Sequence, residues 1–234
     1  CDSNTPGTDT SGEPLFIRSA ALIGAEGIER LRTLRVAVFG IGGVGGYAVE
    51  ALARAGVGTL HLIDGDTIAP SNLNRQLLSE VSLLGVGKAQ TAAERVRRVN
   101  PNVAVHAVGE FLTEENAAAL LTDCDAVLDG LDNIQSRQIL ANACERAGIP
   151  LIYGAVNGWV AQAAISCPGN HLIDLLYPDG AALKNKSVLS FTPALCASMQ
   201  VSLCVKFLTD RPVRTGTLYF FDLLNQEFEV IPMT

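Results

Sequence analysis

A glycine-rich stretch near the start of the chain has the residue types that bind phosphate. It runs from Gly40 to Gly46, after the apolar strand-like run Arg35–Gly40 and before a predicted helix over Val44–Ala55. Glycines let backbone N–H groups approach a phosphate, and the helix N-terminus adds positive potential. A tight turn without a ligand fits the same pattern. The candidate phosphate-binding glycines are Gly40, Gly42, Gly43 and Gly45.

A second polar group follows the next predicted strand, Thr59–Asp64. Asp64 comes nineteen residues after Gly45, a spacing typical of an acid that hydrogen-bonds ribose hydroxyls. A solvated carboxylate at the strand end is the alternative. The further candidates for the nucleotide site in this stretch are Asp66, Asn72, Asn74, Arg75 and Gln76.

Two cations favour a nucleoside triphosphate over a dinucleotide. The glycine turn can neutralise a pyrophosphate, but the extra charge of a triphosphate requires cations beside the turn. Arg75 is close in sequence, and Lys88 begins a predicted helix, Gly87–Val99, at the carboxyl edge of the sheet. Each of them fits a surface charge equally well when taken alone. Together they predict that ATP binds here.

Two aspartates end the fourth predicted strand, Ala126–Asp132, at the same sheet edge. A carboxylate that faces phosphate needs a cation, so Asp132 is the candidate Mg²⁺ ligand, with Asp129 and Asn133 beside it. Helix capping by Asp132 is the alternative, because a helix is predicted over Gln135–Ala147.

The order of elements predicts the fold class. Strands and helices alternate as far as a fifth strand, Pro150–Val156, which predicts an α/β fold with a Rossmann-like, mostly parallel sheet and helices on both faces. Antiparallel strands are expected to extend this sheet at the C-terminus. The remaining predicted elements are helices over Leu15–Arg35, Thr113–Leu121 and Thr192–Leu208, strands over Val103–Val108 and Ala161–Ser166, and a hairpin over Gly216–Met233.

The expected organisation is a flexible polar tail over residues 1–13 and a single domain over 14–234. The Rossmann-like core spans about 35–156, and the antiparallel extension about 157–234. A lipidated Cys1 is a less favoured hypothesis. The helix Thr192–Leu208 is apolar almost all round, which predicts burial in the chain or in an interface.

Composition excludes some classes of protein. The net charge of −7 over 234 residues argues against a broad nucleic-acid surface. We expect no membrane span, because no uninterrupted apolar run reaches the ~18 residues required. Six scattered cysteines without a C-x-x-C pair predict a reducing, cytoplasmic location and no structural zinc.

The sequence contains, in this order, the glycine turn, Asp64, the cations Arg75 and Lys88, and Asp132. In this it resembles the ThiF/MoeB/HesA family, relatives of the ubiquitin-activating enzymes. The matching stretches include "RVAVFGIGGVGGYAVEALARAGVGTLHLID", "NLNRQ", "VGKAQTAAERVRRVNP", "VLDGLDNIQSRQ" and "PLIYGAVNGWVAQ". The resemblance implies ATP- and Mg²⁺-dependent adenylation of the C-terminal Gly-Gly carboxylate of a small ubiquitin-like sulfur-carrier protein, with release of pyrophosphate.

The resemblance also implies roles for single residues. Arg18, in "LFIRSA", matches an arginine that family dimers insert into the partner's ATP site, which implies a homodimer. Arg137 matches a family arginine without a defined role. Adenylation is expected without a thioester step, and the nearest candidate nucleophile, Cys167, is expected to be structural. The resemblance implies that Asp64 contacts the ribose and that Asp132 binds the metal. The residues implied at the phosphates are Gly42, Gly43, Asn72, Arg75 and Lys88.

Three alternatives remain open from the sequence. One branch of the family, the tRNA threonylcarbamoyladenosine dehydratases, adenylates a modified tRNA base. An NAD(P)-dependent oxidoreductase would use the same glycine turn but leave Arg75, Lys88 and Asp132 without a role. A non-catalytic partner subunit would not need to retain those polar residues.

The choice between ATP and NAD gives the first prediction. A ligand that binds the folded state alone raises the melting temperature. We expect ATP with Mg²⁺ to do so and NAD to have no effect, as measured by differential scanning fluorimetry at equal ligand concentrations. Stabilisation by NAD without stabilisation by ATP would contradict the adenylation hypothesis.

Overall fold

The computed structural model describes residues 15–178 and 187–233. The predicted tail and Cys1 lie outside these residues. One eight-stranded sheet has the strand order β3-β2-β1-β4-β5-β6-β7-β8. Strands β1 to β5 pair in parallel, and β5 to β8 pair antiparallel. The strands are β1 Arg35–Phe39, β2 Thr59–Ile63, β3 Ala104–Val108, β4 Ala126–Asp129, β5 Leu151–Asn157, β6 Val160–Ser166, β7 Thr217–Asp222 and β8 Glu227–Pro232.

The predicted fold class is confirmed: helices cover both faces of a mostly parallel sheet that ends in antiparallel strands. One core cluster lies between the sheet and helices α1, α2, α3 and α7, and the other lies between the sheet and α4, α5 and α6. The helices are α1 Ile17–Thr33, α2 Gly43–Ala55, α3 Lys88–Val99, α4 Ala117–Leu120, α5 Ile134–Ala147, α6 Leu172–Leu176 and α7 Phe191–Leu208.

The central strands were recognisable because a parallel strand covered on both faces is apolar along its length. In β1, all residues after Arg35 are buried, and β4 is buried throughout. Helix α2 ends at Gly56, which has φ of 87° in the left-handed region where glycine is favoured. The predicted C-terminal hairpin is also confirmed, with β7 and β8 joined by residues 223–226.

The strand order reverses between β1 and β4, and the backbone packs closely there. A Cβ atom on Gly45, in the first turn of α2, would lie 1.8 Å from the Gly40 carbonyl oxygen, and one on Gly130 would lie 2.4 Å from the same atom. Only glycine fits at either position. This packing holds the N-terminus of α2 at the carboxyl ends of β1 and β4, where open α/β sheets bind ligands.

Two predicted elements differ from the structure. The helix predicted over Thr113–Leu121 is only α4, and Thr113 and Asn116 exchange hydrogen bonds in the turn that precedes it, as in a capping box. The fourth strand ends at Asp129 rather than Asp132, and residues 130–133 form a loop. The short helix α6 was not predicted.

Helix α7 is the segment that bears on the expectation of no membrane span. Among the described residues it alone has the length and apolarity of a span, with a mean hydropathy of 1.4 over 18 residues. Isolated polar residues such as Gln200 interrupt the apolar sequence of α7, so it contains no uninterrupted apolar run of that length. Half of α7 is buried, and it packs on α2, β5 and β6, which is the pattern of a core helix.

Candidate functional site

A cavity of about 430 Å³ opens at the carboxyl ends of the parallel strands. The glycine turn and the N-terminus of α2 form one wall. The segment after β2 and the start of α3 form a second wall, and the loop after β4 with the start of α5 forms a third. The predicted site residues that line the cavity are Gly40, Gly42, Gly43, Asp64, Asp66, Asn72, Arg75, Gln76, Lys88, Asp132 and Asn133.

The glycine turn is held in place by Asp64. One carboxylate oxygen accepts the Ile41 N–H at 2.6 Å, and the other accepts the Asp66 N–H at 2.8 Å. Burial raises the pKa of Asp64, and these two hydrogen bonds oppose the rise. Asp64 therefore fixes the turn, while its place in the cavity lining is compatible with the predicted contact to ribose. Gly45 lies outside the lining, where it allows the close packing of α2.

The segment after β2 brings Arg75 to the glycine turn. The Cγ atom of Arg75 would lie 3.7 Å from a Cβ atom on Gly43, so the two residues are neighbours. The guanidinium Nη1 donates to the Ser71 carbonyl at 2.7 Å and to Asn74 Oδ1 at 3.0 Å. These two bonds orient the side chain before any ligand binds.

The amides of this segment have supporting roles. Asn72 is buried, and its Oδ1 accepts the Ala69 N–H at 3.0 Å, which closes the turn. Asn74 donates to the Val188 carbonyl at 3.3 Å and lies outside the cavity lining. Its side chain is directed to Arg75 and Val188, and the contact of Asn74 with the nucleotide stays a prediction. Gln76 is buried beside Gly42 and remains in the lining.

Lys88 is a buried cation at the cavity wall. Its side chain is 9% exposed, and Nζ lies 2.8 Å from Asp66 Oδ2. The Lys88 N–H also donates to the Asp66 carbonyl at 3.0 Å. An ammonium group has three donors, so pairing with Asp66 leaves capacity for phosphate oxygens. The predicted site residues Asp66 and Lys88 therefore form an ion pair at the cavity wall.

Asp132 and Asn133 divide two roles that the sequence could not separate. Asn133 caps α5, because its Oδ1 accepts the Ser136 N–H at 2.8 Å. The capping alternative for Asp132 is therefore wrong, and the cap belongs to its neighbour. Asp132 is exposed at the cavity wall. The N-termini of α2 and α5 both border the cavity, and their positive ends favour an anion.

Asp129, the other aspartate predicted at the end of the fourth strand, does not line the cavity. It is completely buried, and its Oδ2 lies 2.7 Å from Nη1 of Arg137, whose side chain is 8% exposed. Burial raises the pKa of Asp129, with Arg137 and the Leu131 N–H acting in the opposite direction. The sequence pattern could not show this inward orientation, because β4 is buried on both faces.

Several lining residues were missed in the sequence. Glu110 and Phe111 follow β3, and Phe111 is 65% exposed and packs against Gly65. The rule that parallel strands end at one edge could have identified them, since β3 was predicted. Tyr177 and Pro193 also line the cavity, but no local signal places them there.

Other predicted functional residues lie elsewhere. Arg18 is exposed on α1 and is not part of the cavity lining of its own chain. Cys167 is half-buried, and burial raises the pKa of its thiol, which disfavours the nucleophilic thiolate. Burial raises the thiol pKa of Cys196 and Cys204 to about 12.

The geometry defines what the cavity can do chemically. Helix N-termini, Arg75 and Lys88 provide positive charge for a polyphosphate, and Asp132 provides a carboxylate for a metal ion on that polyphosphate. No group of three His, Cys, Asp or Glu that could hold a metal by itself occurs within 15–178 and 187–233. A metal here would therefore need phosphate oxygens as ligands, as Mg²⁺ commonly does.

The chain is similar to one protein family and to several proteins named for their activity. The model of the ThiF family matches residues 16–234. The molybdopterin-synthase adenylyltransferase of Escherichia coli is 41% identical over 87% of this chain and 84% of its own length. The SAMP-activating enzyme E1 of Haloferax volcanii is 33% identical over 90% of this chain and 80% of its own. The E. coli tRNA threonylcarbamoyladenosine dehydratase is 37% identical over 58% of this chain and 52% of its own.

Solved structures agree with the fold. The E. coli dehydratase TcdA in complex with ATP has a TM-score of 0.71 at 26% identity and covers 83% of this chain and 93% of its own. PaaA has a TM-score of 0.82 at 23% identity and covers 100% of this chain and 77% of its own.

The buried ion pair leads to a stability prediction. Asp129→Asn removes the charge opposite Arg137 and leaves a buried, uncompensated guanidinium, which typically costs about 3–5 kcal/mol. We expect a loss of this size in the free energy of unfolding, measured by urea denaturation. Asp123→Asn is the matched control, because Asp123 pairs with Arg35 on the surface and such pairs contribute about 0–1 kcal/mol. Equal losses in both variants would contradict the structural role of Asp129.

Proposed function

Because the chain belongs to the ThiF family, we propose that it adenylates the C-terminal glycine carboxylate of a small ubiquitin-like sulfur-carrier protein, with ATP and Mg²⁺. One observation carries this proposal. Arg75, Lys88 and Asp132, which are distant in sequence, line one cavity beside the glycine turn. The relatives that match most of this chain are named as adenylyltransferases or as an activating enzyme, and a related structure contains ATP.

The proposed reaction needs no general base. A carboxylate oxygen of the carrier attacks the α-phosphorus of ATP, a new C–O–P linkage forms, and the bond from that phosphorus to the pyrophosphate oxygen breaks. A carboxylate is already deprotonated, so no proton has to move. Catalysis then requires alignment of the two reactants and neutralisation of the charge on the departing pyrophosphate.

The residues of the cavity are suited to these tasks. Backbone groups of Gly42 and Gly43 at the α2 N-terminus would hold phosphate oxygens, while Arg75 and Lys88 neutralise charge. Asp132 would hold Mg²⁺ together with phosphate oxygens. A bound Mg²⁺ would supply further neutralisation of the leaving group. Phe111 and Asp64 lie toward the end of the cavity formed by β2 and β3, where we place the nucleoside.

The dehydratase alternative is less well supported. In sequence, the tRNA threonylcarbamoyladenosine dehydratase matches 58% of this chain, whereas the two carrier-related proteins match 87% and 90%. The net charge of −7 also disfavours a tRNA substrate. A dinucleotide-dependent oxidoreductase would give no reason for Arg75 and Lys88 to line the cavity.

The metal role of Asp132 predicts a rate effect. Asp132→Asn keeps the side-chain shape but removes the charge, so Mg²⁺ would neutralise less of the developing pyrophosphate charge. Loss of one such interaction typically costs ~3 kcal/mol, or about 100-fold in rate. We expect this fall in carrier-dependent ATP–pyrophosphate exchange, with a smaller effect on ATP binding and an unchanged melting temperature. Asp123→Asn, remote from the cavity, serves as control. Near-normal exchange in Asp132→Asn would show that the metal is held elsewhere.

A homodimer is the second part of the proposal. Arg18 is exposed on α1 and does not reach its own cavity, and α1 also exposes Ile17 and Leu22 to solvent. We propose that a second copy covers this surface and that Arg18 reaches the neighbour's nucleotide.

This arrangement predicts a dimer by analytical ultracentrifugation at micromolar concentration. It also predicts that Arg18→Ala loses most exchange activity and regains part of it when mixed with Asp132→Asn subunits. In the mixed dimer, one site combines Asp132 of the Arg18→Ala subunit with Arg18 of the Asp132→Asn subunit. A monomer with full exchange activity would refute the arrangement.

A further inference from the structure

We propose that Arg137 is a positioning residue: together with Asp129 it holds the peptide groups of Leu131 and thereby fixes the direction of the Asp132 carboxylate. This inference rests on the proposed function, since it concerns how the cavity aims its metal-binding acid. It assigns a role to an arginine that is distant from the phosphate-binding residues in sequence.

The contacts converge on Leu131, the residue directly before Asp132. Asp129 Oδ1 accepts the Leu131 N–H at 2.9 Å. Arg137 Nη2 donates to the Leu131 carbonyl oxygen. The two side chains are joined by the ion pair between Asp129 Oδ2 and Arg137 Nη1 at 2.7 Å. Both polar backbone groups of Leu131 are therefore held by one ion pair.

The ion pair is itself anchored to the sheet. Arg137 Nη1 also donates to the Gly154 carbonyl on β5 at 2.9 Å, and its guanidinium carbon lies 5.2 Å from the centre of the Tyr153 ring. On the other side, Gln200 of α7 donates to the Asp129 carbonyl at 2.9 Å and to the Ile152 carbonyl at 2.8 Å. The orientation of Asp132 thus depends on a rigid base formed by β4, β5 and α7.

The loop after β4 is also anchored at its start and at its end. β4 ends at Asp129 and α5 begins at Ile134, so the intervening residues lie outside the regular strand and helix hydrogen bonds. The Gly130 N–H donates to the Phe39 carbonyl at 2.8 Å and fixes the start of the loop, and the Asn133 cap of α5 fixes its end. Because Leu131 has side-chain partners on both of its polar groups, changes in those side chains are transmitted directly to Asp132.

Arginine is required here by its shape as well as its charge. Its planar fork can contact Asp129 and Leu131 at the same time with two nitrogens, which a single ammonium group cannot reproduce in the same geometry. Arg137→Lys therefore keeps a positive charge opposite Asp129 but weakens the bond to the Leu131 carbonyl. This variant separates charge balance from positioning.

The experiment compares Arg137→Lys with Arg95→Lys. Arg95 also pairs with an acid, Glu50, at 2.8 Å, but lies outside the cavity lining. The first measurement is amide hydrogen exchange at Leu131 in the protein without ligand, by NMR. We expect Arg137→Lys to accelerate this exchange by about tenfold or more relative to amides of β1, and Arg95→Lys to leave it unchanged.

The second measurement is steady-state ATP–pyrophosphate exchange. We expect Arg137→Lys to lower kcat by roughly 10- to 100-fold while KM for ATP stays within about twofold, because misplaced groups affect the transition state more than ground-state binding. In the Asp132→Asn background, Arg137→Lys should reduce kcat by less than about twofold, since both changes act on one function.

Unchanged Leu131 exchange, unchanged kcat, or full additivity with Asp132→Asn would overturn the inference. If Arg137→Lys does not fold, the double variant Asp129→Asn/Arg137→Gln tests the same points, because it leaves no uncompensated buried charge. Absence of pyrophosphate exchange in the wild-type protein would instead refute the proposed function, while the Leu131 amide measurement would still decide whether Arg137 holds the loop.

Discussion

The close approach of three backbone segments around the Gly40 carbonyl is the constraint on which the cavity depends. Gly45 and Gly130 pack so near that oxygen that neither could carry a Cβ atom. This contact joins the end of β1, the first turn of α2 and the end of β4 at the point where the strand order reverses. The positive end of α2 and the loop with Asp132 consequently border the same cavity, which makes it an anion site.

The charges around the cavity are arranged at two depths. Beneath the cavity, the fully buried Asp129 balances Arg137, which also borders the cavity, and both side chains act on the backbone. At the wall, Lys88 is paired with Asp66, and Arg75 is oriented by Asn74 and a carbonyl group. This order follows from desolvation, because a fully buried charge requires a fixed partner, whereas a charge at the wall can exchange its partner for a ligand. The proposed adenylation uses the charges at the wall, supported by the buried pair.

The sequence predicted most of the fold and the cavity because its strong signals are local. Buried parallel strands are apolar along their length, and the glycine turn identifies the first βα unit. Long-range orientation was not accessible from the sequence. Whether Asp129 or Asp132 faces the cavity depends on packing against Arg137 and Gln200, and the orientation of Asn74 depends on Val188, 114 residues away.

The most direct test is ATP–pyrophosphate exchange with small ubiquitin-like proteins that end in Gly-Gly, each compared with a form lacking the last glycine. An acyl adenylate can form only on a reachable C-terminal carboxylate. We expect Mg²⁺-dependent incorporation of labelled pyrophosphate into ATP with at least one intact carrier, and none with its truncated form. Exchange that depends on threonylcarbamoyl-modified tRNA, and on no Gly-Gly carrier, would contradict it.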